Sequence, residues 1–412
     1  MNWSDVQSFM QARALDAWIV HDFRGSNAVL ARLLPPPPGE PKRRSTRRAT
    51  LVIPASGRPA LIAHRIDAIP FADVPARFAA DLDLYISWRD WQARLAPHAR
   101  GRVAMEYSPG GALPVVGTSD AGTVELVRAL GAEVVSSADL IQHAVSRWSP
   151  DAVREHLRAS VLVDAIKDEA FALIRDTLAR GSTLHEHDAA QFIRDRFAAH
   201  GLEYPDGPIV SVNEHAADPH YEPSPAHPRE IRPGDWVLID LWARIPGDHN
   251  VHADITWVGY LGRDVPDLHT RVARTVFAAR DAALALAKER FARGRRVEGW
   301  ELDDAARAVI VDAGFERGLV HRTGHSLSPG EMVHGSGMNL DNLETRDTRE
   351  MLPGTGFTIE PGIYLPDERL GVRSEINVYV DPAKGPIVTS RVQSDVLRLG
   401  ERESTGHGSG AA

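Results

Sequence analysis

The 412-residue chain contains no cysteine. It therefore has no disulfide, no thiolate metal ligand and no cysteine nucleophile, and any metal it binds must be held by oxygen and nitrogen donors. It also lacks an excess of positive charge. The 47 basic and 56 acidic residues leave a formal charge of −9, and they are interspersed, with no basic face to follow a phosphate backbone. Nucleic acid is not an expected partner. No uninterrupted apolar run approaches the ~18 residues of a membrane span. The opening Met1-Asn2-Trp3-Ser4-Asp5-Val6 has no basic stretch leading into an apolar one, so a soluble, cytoplasmic protein with no membrane partner is expected.

What is present is enough apolar residue, 43% of the chain, to build two cores. Up to Trp148, short apolar runs such as Ala17–Val20, Thr50–Ile53 and Arg102–Met105 alternate with amphipathic helical stretches, which predicts a small α/β domain over residues 1–148. Pro35–Pro38 with Lys42, Arg43, Arg44, Arg47 and Arg48 reads as an exposed loop. Ser149-Pro150-Asp151 supplies a cap, a first-turn proline and an acid suited to a helix N-terminus. A second domain is placed at 149–400. Two helical stretches followed by strand-like segments occur there twice, the helices near 150–180 and 186–200 and again near 266–293 and 299–313. A flexible tail is expected over 401–412.

Two strand segments of the second domain contain acids within apolar runs, where an unpaired charge is costly. Reflecting Asp240 of Trp236–Trp242 through the turn at Pro246-Gly247 reaches Asp254. The two are expected to face each other across a hairpin. A second reflection, centred between Asp367 and Glu368, opposes Glu360 and Glu375. Like charges placed opposite each other destabilise a sheet, so two such pairs point to bound cations. His325, flanked by His321 and His334, adds an imidazole. Four carboxylates with one histidine form a hard donor set suited to Mn²⁺ or a similar ion, with Co²⁺ or Zn²⁺ as alternatives.

Asp240, Asp254, His325, Glu360 and Glu375 resemble, in type and order, the five metal ligands of the pita-bread metallopeptidases, which include methionine aminopeptidase, aminopeptidase P and prolidase. The resemblance runs over about residues 150–385 and includes Pro219-His220-Tyr221, Gly234-Asp235, Thr358–Gly362 and Arg373-Ser374-Glu375. The first domain resembles the creatinase/prolidase N-terminal domain through Leu15–Trp18 and Asn27. The steps from Asp240 to Asp254 and from His325 to His334 are longer than that family usually shows, as insertions in a turn and a loop would make them.

The resemblance implies an α/β (α+β) pita-bread fold with pseudo-twofold halves, and two divalent ions that lower the pKa of a shared water for hydrolysis without a covalent intermediate. It implies that Asp240 and Glu375 bridge the ions, Asp254 completes one site, and His325 with Glu360 the other, Glu360 also taking the water proton. His220, His321 and His334 would line the pocket, His220 and His334 bonding the scissile carbonyl, and Arg373 would orient a carboxylate from behind. Arg346 in Thr345–Arg349 matches the prolidase arginine that clamps a dipeptide's free carboxylate. A surface ion-pair cluster with Glu344, Asp347, Arg349 and Glu350 is the other reading of that segment. The activity implied is cleavage of Xaa-Pro dipeptides by a homodimer. The alternatives are an aminopeptidase P acting on longer peptides and, with less support, a binding protein or a metal-free enzyme on the same fold. The His185-Glu186-His187-Asp188 cluster lacks the spacing of a helical metal motif and reads as structural. His249 and His252 are expected to face solvent.

Overall fold

The computed structural model describes residues 2–330 and 332–400; the expected tail at 401–412 lies outside them. The chain forms two compact units. The first comprises residues up to Arg147 together with Ser336–Met338 and Thr345–Leu352. The second comprises, among the described residues, those within 148–335, 339–344 and 353–400.

In the first unit, β1 (Ala17–Phe23), β2 (Arg48–Pro54), β3 (Ala60–His64), β4 (Asp81–Tyr85), β5 (Gly101–Met105) and β6 (Ala132–Ser136) make one mixed sheet in the order β4-β3-β2-β1-β5-β6. Helices α1 (Trp3–Gln11), α2 (Ala28–Leu33), α3 (Val74–Phe78), α4 (Trp88–Leu95), α5 (Ala121–Ala129) and α6 (Ala138–Ile141) cover it. Strand alternation sends Trp18 and Val20 into one core and Ala17 and Ile19 into the other, so β1 is apolar on both faces, as a covered central strand must be. The proline-rich loop is irregular as expected, but it is not wholly solvated. Arg43 is only 9% exposed in its side chain and holds Asp73, because the loop carbonyls of Leu34 and Pro35 accept from the same guanidinium.

The second unit repeats a helix pair and a sheet. Helix α7 (Pro150–Ala179) starts where predicted, with Ser149 accepting from the Ala152 N–H and Pro150 in the first turn. Helix α8 (Glu186–Ala199) follows, and both pack on β7 (Ile209–Val212), β8 (Trp236–Ala243) and β9 (Ala253–Tyr260). Helices α9 (Asp267–Ala292) and α10 (Gly299–Asp312) precede β10 (Ser326–Leu327), β11 (Gly356–Ile359), β12 (Gly362–Leu365), β13 (Leu370–Arg373), β14 (Ile376–Asp381) and β15 (Gly385–Val388), and β16 (Leu397–Arg398) returns to pair with β9. The sheets are β16-β9-β8-β7, β10-β11-β14-β15 and the ribbon β12-β13.

The two hairpin registers came out differently. Asp240 pairs with Thr256, and Asp254 with Trp242, so the first hairpin is centred on Asp248, one residue beyond the expected Gly247. Asp240 and Asp254 are diagonal neighbours, not opposed. The turn is a long loop, 244–252, closed by Asn250, whose N–H donates to Gly247 and whose side-chain amide donates to Ile245 and Pro246. A two-residue shift preserves the face on which both acids lie. In the second hairpin Ile359 pairs with Ile376 and Gly362 with Arg373, the expected register. Glu360 and Glu375 lie at opposed positions in the gap between those two ladders.

Candidate metal centre

The second unit gathers Asp240 from β8, Asp254 from β9, His325 beside β10, and Glu360 and Glu375 from the breaks after β11 and before β14. His325 sits at the middle. Its Nε2 is 3.4 Å from Asp254 Oδ2, 3.3 Å from Glu360 Oε1 and 4.0 Å from Glu375 Oε1, and ligand atoms of Asp254, His325 and Glu375 all lie within 4.8 Å of one another. Backbone bonds fix this proximity: Thr358 donates its N–H to the His325 carbonyl at 2.8 Å, and Glu360 donates its own to Thr323 at 2.7 Å. Gly324 makes the approach possible, since a Cβ there would strike the Thr358 carbonyl.

Burial and mutual repulsion both act on the acids. Desolvation, followed by the charges of Asp240 and Glu360, holds the Asp254 carboxyl well above its ordinary range. Glu375 is pushed up by burial and by Asp254, Glu360 and Asp240. Burial also raises Asp240, against the opposing charge of Arg373. His325 is shifted down, chiefly by burial, so it is a neutral imidazole with a lone pair to offer.

Arg373 closes the back of the cluster. It donates to Asp240 Oδ2 at 2.5 Å, to Tyr364 Oη at 2.6 Å and to Thr256 Oγ1 at 3.2 Å, and it lies 3.9 Å from Glu360. Thr256 donates in turn to Glu375 Oε2 at 2.9 Å. With these bonds made, Asp240 Oδ1, Asp254 Oδ1 and Glu375 Oε1 are still buried without a hydrogen-bond partner among the described residues. Buried polar atoms are normally satisfied, and three orphaned carboxylate oxygens around a neutral imidazole are the donors that a hard divalent cation would engage.

The other expected site residues are placed as follows. The His334 ring lies 4.1 Å from that of His325 and is exposed. His321 makes no hydrogen bond to the carboxylates: its Nδ1 donates to the Arg322 carbonyl at 2.6 Å and its Nε2 accepts from Tyr364 Oη at 2.7 Å, although Glu360 acts on it electrostatically. His220 is exposed on a turn, its N–H bonded to Asp218 at 3.0 Å, and no hydrogen bond or ion pair joins it to the acids. Arg346 is exposed and belongs to the first unit, where its N–H donates to Ala112 at 3.1 Å. The neighbouring Arg349 and Asp347 are not a surface pair: they are 2% and 0% exposed in their side chains and 2.5 Å apart. His249 is exposed as expected, but His252 is 1% exposed, because the chain has already turned inward to start β9. The His185–Asp188 cluster proves to be a helix cap, with Asp188 accepting from the His185 N–H.

Thr256, Tyr364, Thr358 and Asn377 were missed by the sequence reading. Asn377 accepts from the Asp254 N–H at 2.9 Å and donates back to its carbonyl. Thr256 was within reach of that reading, because it stands two residues from Asp254 and so shares its face.

The fold and the donor set together define a divalent-metal hydrolase. Residues 155–382 match the model of metallopeptidase family M24, and the chain belongs to that family. It is 29% identical over 338 residues to the probable dipeptidase PepE of Mycobacterium tuberculosis, covering 81% of each chain, and 31% identical over 167 residues to the Xaa-Pro dipeptidase of Lactobacillus delbrueckii subsp. lactis, covering 40% of each. The crystal structure of dipeptidase PepE from Mycobacterium ulcerans superposes with a TM-score of 0.68 at 22% identity, covering 97% of both chains. Among the described residues, no helix is long and apolar enough to cross a membrane.

Proposed function

We propose that this chain hydrolyses Xaa-Pro dipeptides with two divalent ions, Mn²⁺ best fitting the donor set. The reading is carried by Asp254, Glu360 and Glu375 around His325, with Asp240 tied to Glu360 through Arg373, three of the four carboxylates having a buried unpartnered oxygen, in a chain of family M24. Similarity to enzymes described as a probable dipeptidase and an Xaa-Pro dipeptidase supports the substrate class.

Asp240, Asp254, His325, Glu360 and Glu375 would hold the ions. The ions supply Lewis acidity and lower the pKa of water. Glu360 would accept the proton of the attacking water and pass it to the leaving nitrogen; its Oε1 accepts from the Thr358 hydroxyl at 3.2 Å, and Arg373 stands by its Oε2. Arg373 also locks the Asp240 carboxylate in orientation. His334 and His220, both exposed, would bond the scissile carbonyl, as the family resemblance implies. His321 acts instead through Tyr364, which it fixes. Arg346, an exposed guanidinium, would take the substrate's free carboxylate. The same reading takes the enzyme to be a cytoplasmic homodimer.

The test is hydrolysis by metal-depleted enzyme reloaded with Mn²⁺, comparing an Xaa-Pro dipeptide, its C-terminal amide and an Xaa-Pro-Yaa tripeptide. Turnover of the free dipeptide alone is expected. Preference for the tripeptide would make the enzyme an aminopeptidase and remove Arg346 from the site.

A further inference from the structure

We propose that the first unit carries a second ligand site, a cavity of about 550 Å³ beside β1 and β2, which takes a free α-amino acid as its zwitterion. The volume lies within the usual range for small-molecule pockets, and the groups lining it offer three distinct chemistries.

The first is a donor on a largely buried ring. His21 and Trp91 line the cavity at 4% and 3% exposure. The Trp91 indole N–H donates to Thr50 Oγ1 at 3.1 Å, and His21 Nδ1 is 2.9 Å from the same oxygen. The Thr50 hydroxyl has no other side-chain partner among the described residues, so its proton goes to His21 Nδ1. A neutral imidazole then carries its own proton on Nε2, and burial keeps the ring neutral by lowering its pKa to about 4. That Nε2–H makes no hydrogen bond with a described residue, and its ring lines the cavity, so it is open to a ligand there.

The second is a cation without an anion. The Arg48 guanidinium lies 5.2 Å from the Trp91 ring centroid and 5.9 Å from that of Phe23, and it makes no ion pair with any described residue. The third is a carboxylate with capacity to spare. Asp120 caps α5, one oxygen accepting from the Thr123 N–H at 2.9 Å and the other from the Thr123 hydroxyl at 2.6 Å, which leaves each oxygen a further lone pair. Both Arg48 and Asp120 act electrostatically on His21. A simple anion in the cavity would meet Asp120, and a simple cation would meet Arg48. A zwitterion places its carboxylate toward Arg48 and the His21 donor, its ammonium toward Asp120, and an apolar side chain against Trp91 and Phe23.

The experiment is calorimetric titration of the holoenzyme with L-leucine, L-leucinamide and N-acetyl-L-leucine, repeated on Arg48→Met and on Asp120→Asn, the latter keeping a good helix cap while losing the charge. Leucine is expected to bind, with each blocked form and each variant at least tenfold weaker. Binding of leucine that both variants leave within twofold would locate it elsewhere and overturn the proposal, as would no binding at all. N-acetyl-leucine binding as tightly as leucine would overturn the zwitterion. None of these outcomes depends on which peptides the metal centre hydrolyses.

Discussion

Arg373→Met is the substitution whose consequence the site geometry fixes most closely. Among the described residues, Arg373 is the only arginine or lysine within ion-pair distance of the four carboxylates, and its side chain is 6% exposed against 11% for Asp240. Methionine fills much of the same space, so the loss is mainly electrostatic. Removing one partner of a buried, hydrogen-bonded pair costs about 3–5 kcal/mol. The lower figure is expected, because Asp240 has a way out: burial already pushes its carboxyl up, and without Arg373 it takes a proton. The sign follows from linkage. A carboxyl whose folded pKa is raised is penalised when charged, so the variant's deficit is largest near neutral pH and shrinks as acid neutralises Asp240. Urea unfolding of metal-depleted parent and variant, followed by tryptophan fluorescence, should show a loss of about 3 kcal/mol at pH 7 and a clearly smaller one at pH 5. A loss below about 1 kcal/mol at pH 7, or an equal loss at both pH values, would refute the claim that this guanidinium neutralises the cluster.

Glu375→Gln removes one of the orphaned oxygens and should weaken Mn²⁺ binding by at least about tenfold, measured by metal content after dialysis, with hydrolysis lost in parallel. Tyr364→Phe frees both His321 Nε2 and one Arg373 N–H; it should lower kcat more than it raises KM, and a variant with parental kcat would reduce Tyr364 to a packing role. In the first unit, buried Glu106 accepts from Trp18, Asn27 and Ser137, yet burial raises its pKa from 4.5 to about 7. Its contribution is therefore full below pH 4.5 and is lost, by about 3 kcal/mol, as pH rises through 7. The stability difference between parent and Glu106→Gln should change by that amount between pH 4 and pH 8, and a constant difference would contradict the shift. His156 in the second unit has the opposite sign, its pKa lowered by burial to about 4, so its contribution is lost as pH falls from 6.5 toward 4 and should vanish from the pH profile of His156→Gln.

The helix pairs of the second unit were legible because their caps and periodicities are local: Ser149 and Pro150 set the start of α7 whatever packs against it. The four acids were legible because an ionisable residue inside an apolar strand is rarely without purpose. Tertiary burial was not legible. His252 read as a solvent-facing turn residue, since nothing in His249–His252 tells how soon the chain turns inward, and it is buried. Arg349 read as a surface charge, and its near-complete burial depends on Asp347 and the Ser336 carbonyl, a contact between segments that no periodicity encodes.

The register of the first hairpin shows why the acids could be found although their pairing was misplaced. Side chains in a strand alternate with period two, so any error of two residues exchanges partners while leaving every residue on its own face. Asp240 therefore stands opposite Thr256, yet it remains on the face that carries Asp254, and the threonine taking the opposed position bonds to Glu375 and Arg373. A slip of one residue would instead have turned Asp254 out of the cluster.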